Sequence, residues 1–346
     1  MSARRGPARA AGGRGRGGRP GPGFVWRGGV KLARVPLWFD APRVVEPVVL
    51  SAVGAVEQLH AGRVVATPET FALRAALQRH GRAPAGELRA PYGRPFALGP
   101  VRLELFPSGR HLGAAACLIE VDGRRLVYAG ELGPADTVAA APAEVREAEC
   151  LALWARQASP RLAFPPRAGV WEALRSFVES TLRGGAWPVL VMPPLGAAQE
   201  VAHRLADLPL AAHPTVARAC ARCRALGADL PAVRTLGRAP QSGEVVLWPE
   251  RTRLGPGLPA RDRTRVGLVS AAALDAGATA ACGADEAFPL ASQADFETLG
   301  TFVAQSGARE VALIRGADPP LVDALRARGV GVRVLGPPLQ MELFGG

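Results

Sequence analysis

Residues 105–131 read LFPSGRHLGAAACLIEVDGRRLVYAGE, and this stretch decides the fold. Its apolar runs at 116–121 and 125–128 flank Asp122-Gly123, a dipeptide that favours the tight turn of a β-hairpin. A glycine-containing loop with Arg110 and His111 precedes the first run. The stretch therefore predicts a hairpin that follows a loop with charged side chains.

Strand and helix patterns alternate on both sides of this hairpin. The first half of the chain is mostly strand-like, whereas residues 169–226 follow the βα rhythm of nucleotide-binding folds. Thr67 before Pro68 is typical of a helix start. The predicted strands are 48–50, 101–106, 116–121, 125–128, 189–192, 264–269, 310–314 and 330–334. The predicted helices are 68–80, 169–182, 197–205, 214–226, 295–305 and 320–328.

The charge of the chain is strongly basic. Its 346 residues are 48% hydrophobic, which is enough for a large packed core. A net charge of +12 and a pI near 11 favour polyanionic partners such as nucleic acid. However, Lys31 is the only lysine beside 41 arginines, and GC-rich coding explains such a bias. Arginine abundance alone is therefore weak support for DNA binding.

Half of the excess charge lies in residues 1–23, which contain six arginines and no acidic residue. Glycine, arginine and proline dominate this segment, so it is predicted to be a disordered tail. Its GRGRGG run resembles segments that contact nucleic acid. A merely solvated basic end is the alternative interpretation.

Membrane and cysteine signals are weak. The sequence contains no run of about 18 uncharged apolar residues and no apolar leader, which predicts a cytoplasmic protein without a membrane span.

Five cysteines at irregular spacing indicate reduced thiols and not a disulfide framework. Cys220 and Cys223 form a C-x-x-C pair. A structural zinc site with His213 and Cys282 is one interpretation, and buried thiols are the other.

Several segments occur in the order and spacing of a known family. Residues 105–131 are similar to its P-[AS]-G-H-x-L-G-[SA]-A, strand, G-D pattern, and residues 48–70 (VVLSAVGAVEQLHAGRVVATPET) to its strand, H-x-H-x-D-H and helix entry. LASQADFETL at 290–299 and LIRGADPPLVDAL at 313–325 resemble its S-D-H-A-D-W and T-H-G segments. The chain therefore resembles metallo-β-lactamase-fold nucleases of the β-CASP type. It is most similar to the bacterial ligase-associated DNA exonuclease (mRNA 3′-end processing factor-like) branch.

Eight positions that bind metal or act in catalysis in that family have a different residue type here. The resemblance aligns family histidines and aspartates with Ala52, Gly54, Val56, Glu57, Arg110, Glu131, Gln293 and Arg315. A two-metal hydrolase needs imidazole and carboxylate ligands that activate water. The zinc that the family uses is therefore expected to be lost, with no catalytic residue and no other cofactor in its place.

The altered positions include two arginines, Arg110 and Arg315, and two glutamates, Glu57 and Glu131. One hypothesis is a buried ion-pair cluster, since buried charges need such partners. The other is an open pocket in which the arginines bind phosphate without hydrolysing it. His111 lies one residue from an aligned position and is predicted to be a hydrogen-bonded loop histidine, because one imidazole cannot rebuild a four-coordinate site.

The sequence thus predicts an α/β (α+β) fold with three parts. The resemblance implies an αββα metallo-β-lactamase sandwich from residues 24–150 and 283–346, with a β-CASP-like βα cassette at 151–282. The expected function is that of a non-catalytic, nuclease-like binding or partner subunit in nucleic-acid processing or repair. Its expected partners are DNA or RNA, through the basic surface and tail, and a DNA ligase or helicase. The alternatives are an active metal-dependent DNA exonuclease or phosphodiesterase, and a protein-interaction module that does not bind nucleic acid.

Overall fold

The computed structural model describes residues 23–77, 84–255, 257–315 and 318–337. The predicted tail, apart from Gly23, and the end of the predicted helix 68–80 lie outside these ranges. The strands are β1 (Phe24–Trp26), β2 (Val30–Leu32), β3 (Trp38–Phe39), β4 (Arg43–Val44), β5 (Val48–Val49), β6 (His60–Ala61), β7 (Val64–Ala66), β8 (Glu87–Arg89), β9 (Phe96–Leu98), β10 (Val101–Pro107), β11 (Ala115–Val121), β12 (Arg124–Glu131), β13 (Cys150–Trp154), β14 (Trp187–Met192), β15 (Leu210–Ala212), β16 (Arg234–Thr235), β17 (Val245–Pro249), β18 (Thr264–Ser270), β19 (Glu286–Pro289), β20 (Glu310–Ile314) and β21 (Gly331–Leu335). The helices are α1 (Pro68–Leu77), α2 (Arg167–Arg183), α3 (Ala197–Arg204), α4 (Pro214–Ala225), α5 (Ala276–Cys282), α6 (Phe296–Ser306) and α7 (Pro319–Ala327).

These elements confirm the mixed α/β prediction, and local signals explain where several of them begin and turn. In the predicted hairpin, β11 and β12 pair antiparallel up to Val121 and Arg124. Asp122 and Gly123 between them have φ of 50° and 74°, the left-handed backbone that a two-residue hairpin turn requires. Thr67 Oγ1 accepts a hydrogen bond from the backbone N–H of Thr70 at 3.1 Å, which is the predicted cap of α1.

Three larger sheets organise the described chain. The N-terminal sheet has the strand order β1-β2-β3-β5-β7-β8, and the central sheet has the order β21-β20-β13-β12-β11-β10-β9. The third, here called the inserted sheet, has the order β16-β15-β17-β14-β18-β19. Its strands all run parallel. A short ladder joins β4 and β6.

Apolar clusters define how the N-terminal and central sheets are layered. Phe39 and Val49 of the first pack with Leu105 and Tyr128 of the second in one buried core. The far face of the central sheet packs against α6 and α7. On the far face of the N-terminal sheet, Phe71 of α1 joins a further cluster. The layer order is helix, sheet, sheet, helix, and burial of each apolar sheet face explains it.

The inserted sheet has cores on both faces. Helices α2, α3 and α4 cover one face, and a second cluster that includes Trp248 and Ala273 lies on the other. Leu73 of α1 packs into the first of these cores. Helix α1 therefore joins the N-terminal sheet to the inserted part.

Strand pairing shows where the chain passes between the central and inserted sheets. Strand β13 pairs with β12 and β20 of the central sheet, and β19 pairs with β18 of the inserted sheet. The change of sheet therefore falls after β13 and again after β19. Within the described ranges, no helix is both long and apolar enough to cross a membrane.

Candidate functional site

A cleft of about 480 Å³ lies where strand ends from all three sheets meet. Its walls come from the loops after β5, β10, β12, β13, β14, β17, β18 and β19. Loops at the carboxyl ends of parallel strands are where open α/β sheets bind ligands. The topology therefore makes this cleft the candidate site.

Glu131, at the end of β12, lies between two arginines in the cleft. Arg110 Nε is 3.3 Å from Glu131 Oε2, and these side chains are 14% and 20% exposed. Arg156 Nη1 is 3.9 Å from Glu131 Oε1, and its side chain is 60% exposed. The Arg156 guanidinium also stacks 4.6 Å from the ring centroid of Trp154. One carboxylate is thus paired with an enclosed and an exposed cation.

Arg110 is only partly satisfied by this pair. Its Nη1 is buried and has no hydrogen-bond partner among the described residues. The inserted part approaches Arg110 through Gly196, where an added Cβ would lie 2.9 Å from Nη1. A buried guanidinium N–H without a partner costs free energy, and an anionic ligand in the cleft would supply the acceptor.

The cleft has a small excess of positive charge. Arg110, Arg156 and Arg251 line it, together with Glu131 and Glu250. Arginine guanidinium groups bind phosphate through paired hydrogen bonds. The arrangement is therefore suited to binding an anion.

His111 also lines the cleft but is held within its own loop. Its Nδ1 donates a hydrogen bond of 2.9 Å to the carbonyl of Leu112, as expected of a loop histidine. Burial, reinforced by the charge of Arg110, lowers the pKa of His111 to about 4. The ring is therefore neutral at pH 7 and does not add to the positive charge of the site.

Gln157 joins two of the loops that form the cleft. Its Oε1 accepts hydrogen bonds from the backbone N–H groups of Ser292 and Gln293, both at 3.0 Å. Gln293 Oε1 is buried and has no hydrogen-bond partner among the described residues. The cleft thus contains an unpaired acceptor in addition to the unpaired donor of Arg110.

A partly buried polar network around Asp40 was missed by sequence reasoning. Asp40 accepts hydrogen bonds from Ser51 N–H (2.8 Å), Ser51 Oγ (2.6 Å) and Tyr128 OH (2.8 Å). Trp154 Nε1 donates to the Tyr128 hydroxyl at 3.3 Å. Removal from water raises the Asp40 pKa to about 6, with Glu131 contributing in the same direction. An acid directly after the apolar pair Trp38-Phe39 was the available signal.

Some of the remaining predicted positions line the cleft, and the others lie in an apolar core or on the surface. Ala52 and Gly54 line the cleft, whereas Val56 packs in an apolar core. Glu57 is exposed, and its backbone carbonyl accepts a hydrogen bond from Arg74. Arg315 is exposed and lies over the Trp26 ring, 5.7 Å from its centroid. Of the predicted cluster, the structure pairs Arg110 with Glu131 and places Arg315 outside the cleft.

The residues of the cleft do not fit the zinc that the family resemblance implies. Ala52 and Gly54 have no ligand atoms in their side chains, and Arg110 places a cation at a histidine position. Among the residues that the structure describes, no three His, Cys, Asp or Glu side chains are grouped to hold a metal ion. Zinc ligation needs several such donors.

Both cysteines of the C-x-x-C pair are buried on α4. Cys220 and Cys223 are buried thiols, and Gln199 Nε2 donates to Cys220 Sγ at 3.4 Å. Burial raises both thiol pKa values, that of Cys223 to about 12. His213 instead caps α4, accepting a hydrogen bond from Thr215 N–H.

Comparison with known proteins finds a related sequence and a solved structure with the same fold. No model of a known protein family matches the chain. It is 28% identical over 242 residues to a probable DNA ligase of Opitutus terrae. That match covers 69% of this chain and 24% of the relative, so the chain spans about a quarter of that protein's length. A crystal structure of a protein of unknown function from Enterococcus faecalis V583 has the same fold, with a TM-score of 0.54 at 12% identity over 84% of this chain and 79% of that one.

Proposed function

We propose that this chain is a non-catalytic, nuclease-like protein of metallo-β-lactamase/β-CASP ancestry. Its cleft binds a phosphate of nucleic acid, and the protein acts as a binding or partner subunit in DNA processing. The observation that carries the proposal is the Arg110–Glu131 ion pair at positions where the resembled nucleases have metal ligands.

The shape and charge of the cleft support anion binding. Eight strand ends surround it, as at the ligand sites of α/β proteins. Arg110 Nη1, which has no hydrogen-bond partner among the residues described, and the exposed guanidinium of Arg156 supply donors for phosphate oxygens. Such contacts position a nucleic-acid backbone without reading its sequence.

The relative named as a probable DNA ligase supports the DNA-processing role and the choice of partner. In that protein, the region similar to this chain is joined to a much larger remainder. We infer that this chain works beside a DNA ligase. Binding energy from the cleft would then hold a DNA end near the partner, since tethering raises the effective concentration.

The test combines metal analysis, a nuclease assay and a binding titration on the purified full chain. We expect no stoichiometric zinc, no cleavage of DNA with added zinc or manganese, and binding of single-stranded DNA that weakens steeply with salt. Binding should fall with Arg110→Gln. The buffer alone and a heat-unfolded sample are the controls.

Three results would contradict the proposal, and the first two would identify its alternatives. Stoichiometric metal with cleavage that a chelator abolishes would establish an active exonuclease. Absent or salt-insensitive nucleic-acid binding would favour a protein-interaction module instead. Unchanged DNA affinity in Arg110→Gln would move the binding surface away from the cleft.

A further inference from the structure

Arg156 covers the indole ring of Trp154 on the side of the cleft. Its guanidinium carbon is 4.6 Å from the ring centroid, and Arg156 lines the cleft whereas Trp154 does not. The Arg156 side chain is 60% exposed. The face of the guanidinium that is turned away from the ring is therefore open to a ligand in the cleft.

The ring of Trp154 is held in place from the other side. It packs against the apolar core between the N-terminal and central sheets, and its Nε1 donates a hydrogen bond of 3.3 Å to the Tyr128 hydroxyl. Tyr128 is fully buried and stacks on Phe39, with ring centroids 4.6 Å apart. Because the ring is fixed, the guanidinium plane above it is ordered before a ligand arrives, which lowers the entropy cost of binding.

Glu131 holds Arg156 beside Arg110. The two arginines approach the two oxygens of one carboxylate, with Arg110 Nε 3.3 Å from Oε2 and Arg156 Nη1 3.9 Å from Oε1. The second contact is too long for a hydrogen bond, so the edge of the Arg156 guanidinium can still donate to a phosphate oxygen. A phosphate bound by these arginines and a group stacked on Arg156 would therefore belong to the same nucleotide or to adjacent ones.

We propose that the Arg156 guanidinium, supported by Trp154, is a stacking platform for one unpaired base of a single nucleic-acid strand. Its planar face contacts the base, while its edge and Arg110 contact the phosphate. Unpaired bases stack on aromatic rings and on arginine planes, whereas the faces of a base inside a duplex are covered by its neighbours. The inference rests on the proposed function and adds a substrate class to it, a single strand with accessible bases.

A second arginine–tryptophan pair in the chain offers a comparison. Arg263 is exposed and lies over Trp187, 4.7 Å from the ring centroid. Trp187 begins β14, and Arg263 directly precedes β18. These two strands are parallel and their carboxyl ends face the cleft, so the Arg263–Trp187 pair lies at the opposite edge of the inserted sheet. It has the chemistry of the stacking platform without the cleft beside it.

The test compares two fluorescently labelled single strands on the purified full chain, a thymidine octamer and the same octamer with every base removed. Both have the same phosphates, so the ratio of their affinities measures the contribution of the bases. We expect wild type to bind the thymidine octamer about 10-fold more tightly. Arg156→Lys keeps the charge but has no planar face, so this ratio should fall to within about 2-fold. Fluorescence anisotropy measures both affinities.

Two further variants show whether the loss belongs to the platform. Trp154→Leu removes the ring beneath Arg156 and should lower the ratio in the same way, with thermal melting to check that the variant folds. Arg263→Lys is the matched control, because it makes the same substitution over a tryptophan ring outside the cleft. It should keep the wild-type ratio of about 10-fold.

The outcomes distinguish this proposal from the proposed function. If wild type binds both strands equally, or if Arg156→Lys keeps the wild-type ratio, the stacking platform is overturned while phosphate binding in the cleft stands. Equal falls in Arg156→Lys and Arg263→Lys would also overturn it, because bases would then contact any exposed arginine. If neither strand binds, the proposed function fails and the platform fails with it.

Discussion

Arg110 and Glu131 form an ion pair, 3.3 Å from Nε to Oε2, that joins the loop after β10 to the end of β12. Both side chains are at least four-fifths buried. An enclosed pair is less screened by solvent and salt than a surface pair and keeps more of its attraction. This pair therefore holds two loops of the cleft together, while Arg110 Nη1 has no acceptor within the part of the chain that the structure describes.

Replacing Arg110 should weaken nucleic-acid binding. We expect Arg110→Gln to lower the affinity for single-stranded DNA by about 10-fold and to reduce the salt dependence by about one ion, as for loss of one phosphate contact. Fluorescence anisotropy at several salt concentrations measures both. Arg315→Gln is the matched control, since Arg315 is exposed over Trp26 outside the cleft. Equal losses in the two variants would show a non-specific charge effect.

Replacing Glu131 should have opposite effects on stability and on binding. Glu131→Gln leaves Arg110 enclosed without its counter-ion, so the free energy of unfolding should fall by roughly 1–3 kcal/mol. The cleft becomes more positive, and the affinity for DNA at low salt should rise. Urea unfolding and the same anisotropy titration give the two values. A variant that loses both stability and affinity would indicate that Glu131 positions the binding arginines.

Local sequence signals predicted much of the fold. The Asp122-Gly123 turn and the Thr67 cap act over a few residues, and both are found as predicted. The pairing of strands was harder to predict. For example, β13 is followed by the inserted part, yet it pairs with β20, about 160 residues later. Such pairing depends on which apolar faces meet in three dimensions, which periodicity along the chain does not encode.

Part of the site could be predicted, and only at positions that the family resemblance aligned with metal-binding or catalytic residues. Arg110 and Glu131 were found that way, and they can pair because β10 and β12 flank β11 and both end at the same edge of the central sheet. The same resemblance aligned Arg315 with a family histidine, but in the structure Arg315 has a left-handed backbone (φ 54°), lies over the Trp26 ring and does not line the cleft. Asp40 was missed because its partners, Ser51 and Tyr128, are 11 and 88 residues away.

The partly buried Asp40 carboxyl should make stability depend on pH. Its pKa in the folded protein is about 6, above the ordinary 3.8. The folded state therefore binds this proton more tightly than the unfolded state. The stabilising contribution is fully present below about pH 4 and is lost as the pH rises through 6, a change of about 3 kcal/mol.

Asp40→Asn tests this expectation, because the amide cannot titrate. Between pH 4.5 and 7.5, the wild-type unfolding free energy should decline relative to that of the variant by about 2 kcal/mol. Urea unfolding at both pH values measures the difference. Glu172→Gln, on the exposed face of α2, is the control and should follow wild type. Parallel behaviour of wild type and Asp40→Asn would contradict an elevated Asp40 pKa.

Gly133 should not tolerate a side chain, because the backbone of Gly109 and Arg110 passes very close to its Cα. An added Cβ would collide with the carbonyl of Gly109 and lie 2.7 Å from the backbone nitrogen of Arg110. Gly133 N–H also donates a hydrogen bond of 2.8 Å to the carbonyl of Ser108. The two cleft loops could not keep this approach with any side chain between them.

We therefore expect Gly133→Ala to lower the free energy of unfolding by about 3 kcal/mol or more, as severe overpacking does. The DNA affinity of the fraction that stays folded should also fall, since the backbone of Arg110 must shift away from Glu131. Gly169→Ala in α2 is the matched control, because a Cβ there meets no atom within 4 Å. A Gly133→Ala variant with wild-type stability would show that these loops are not packed as described, and the ion pair between them would then lose its structural support.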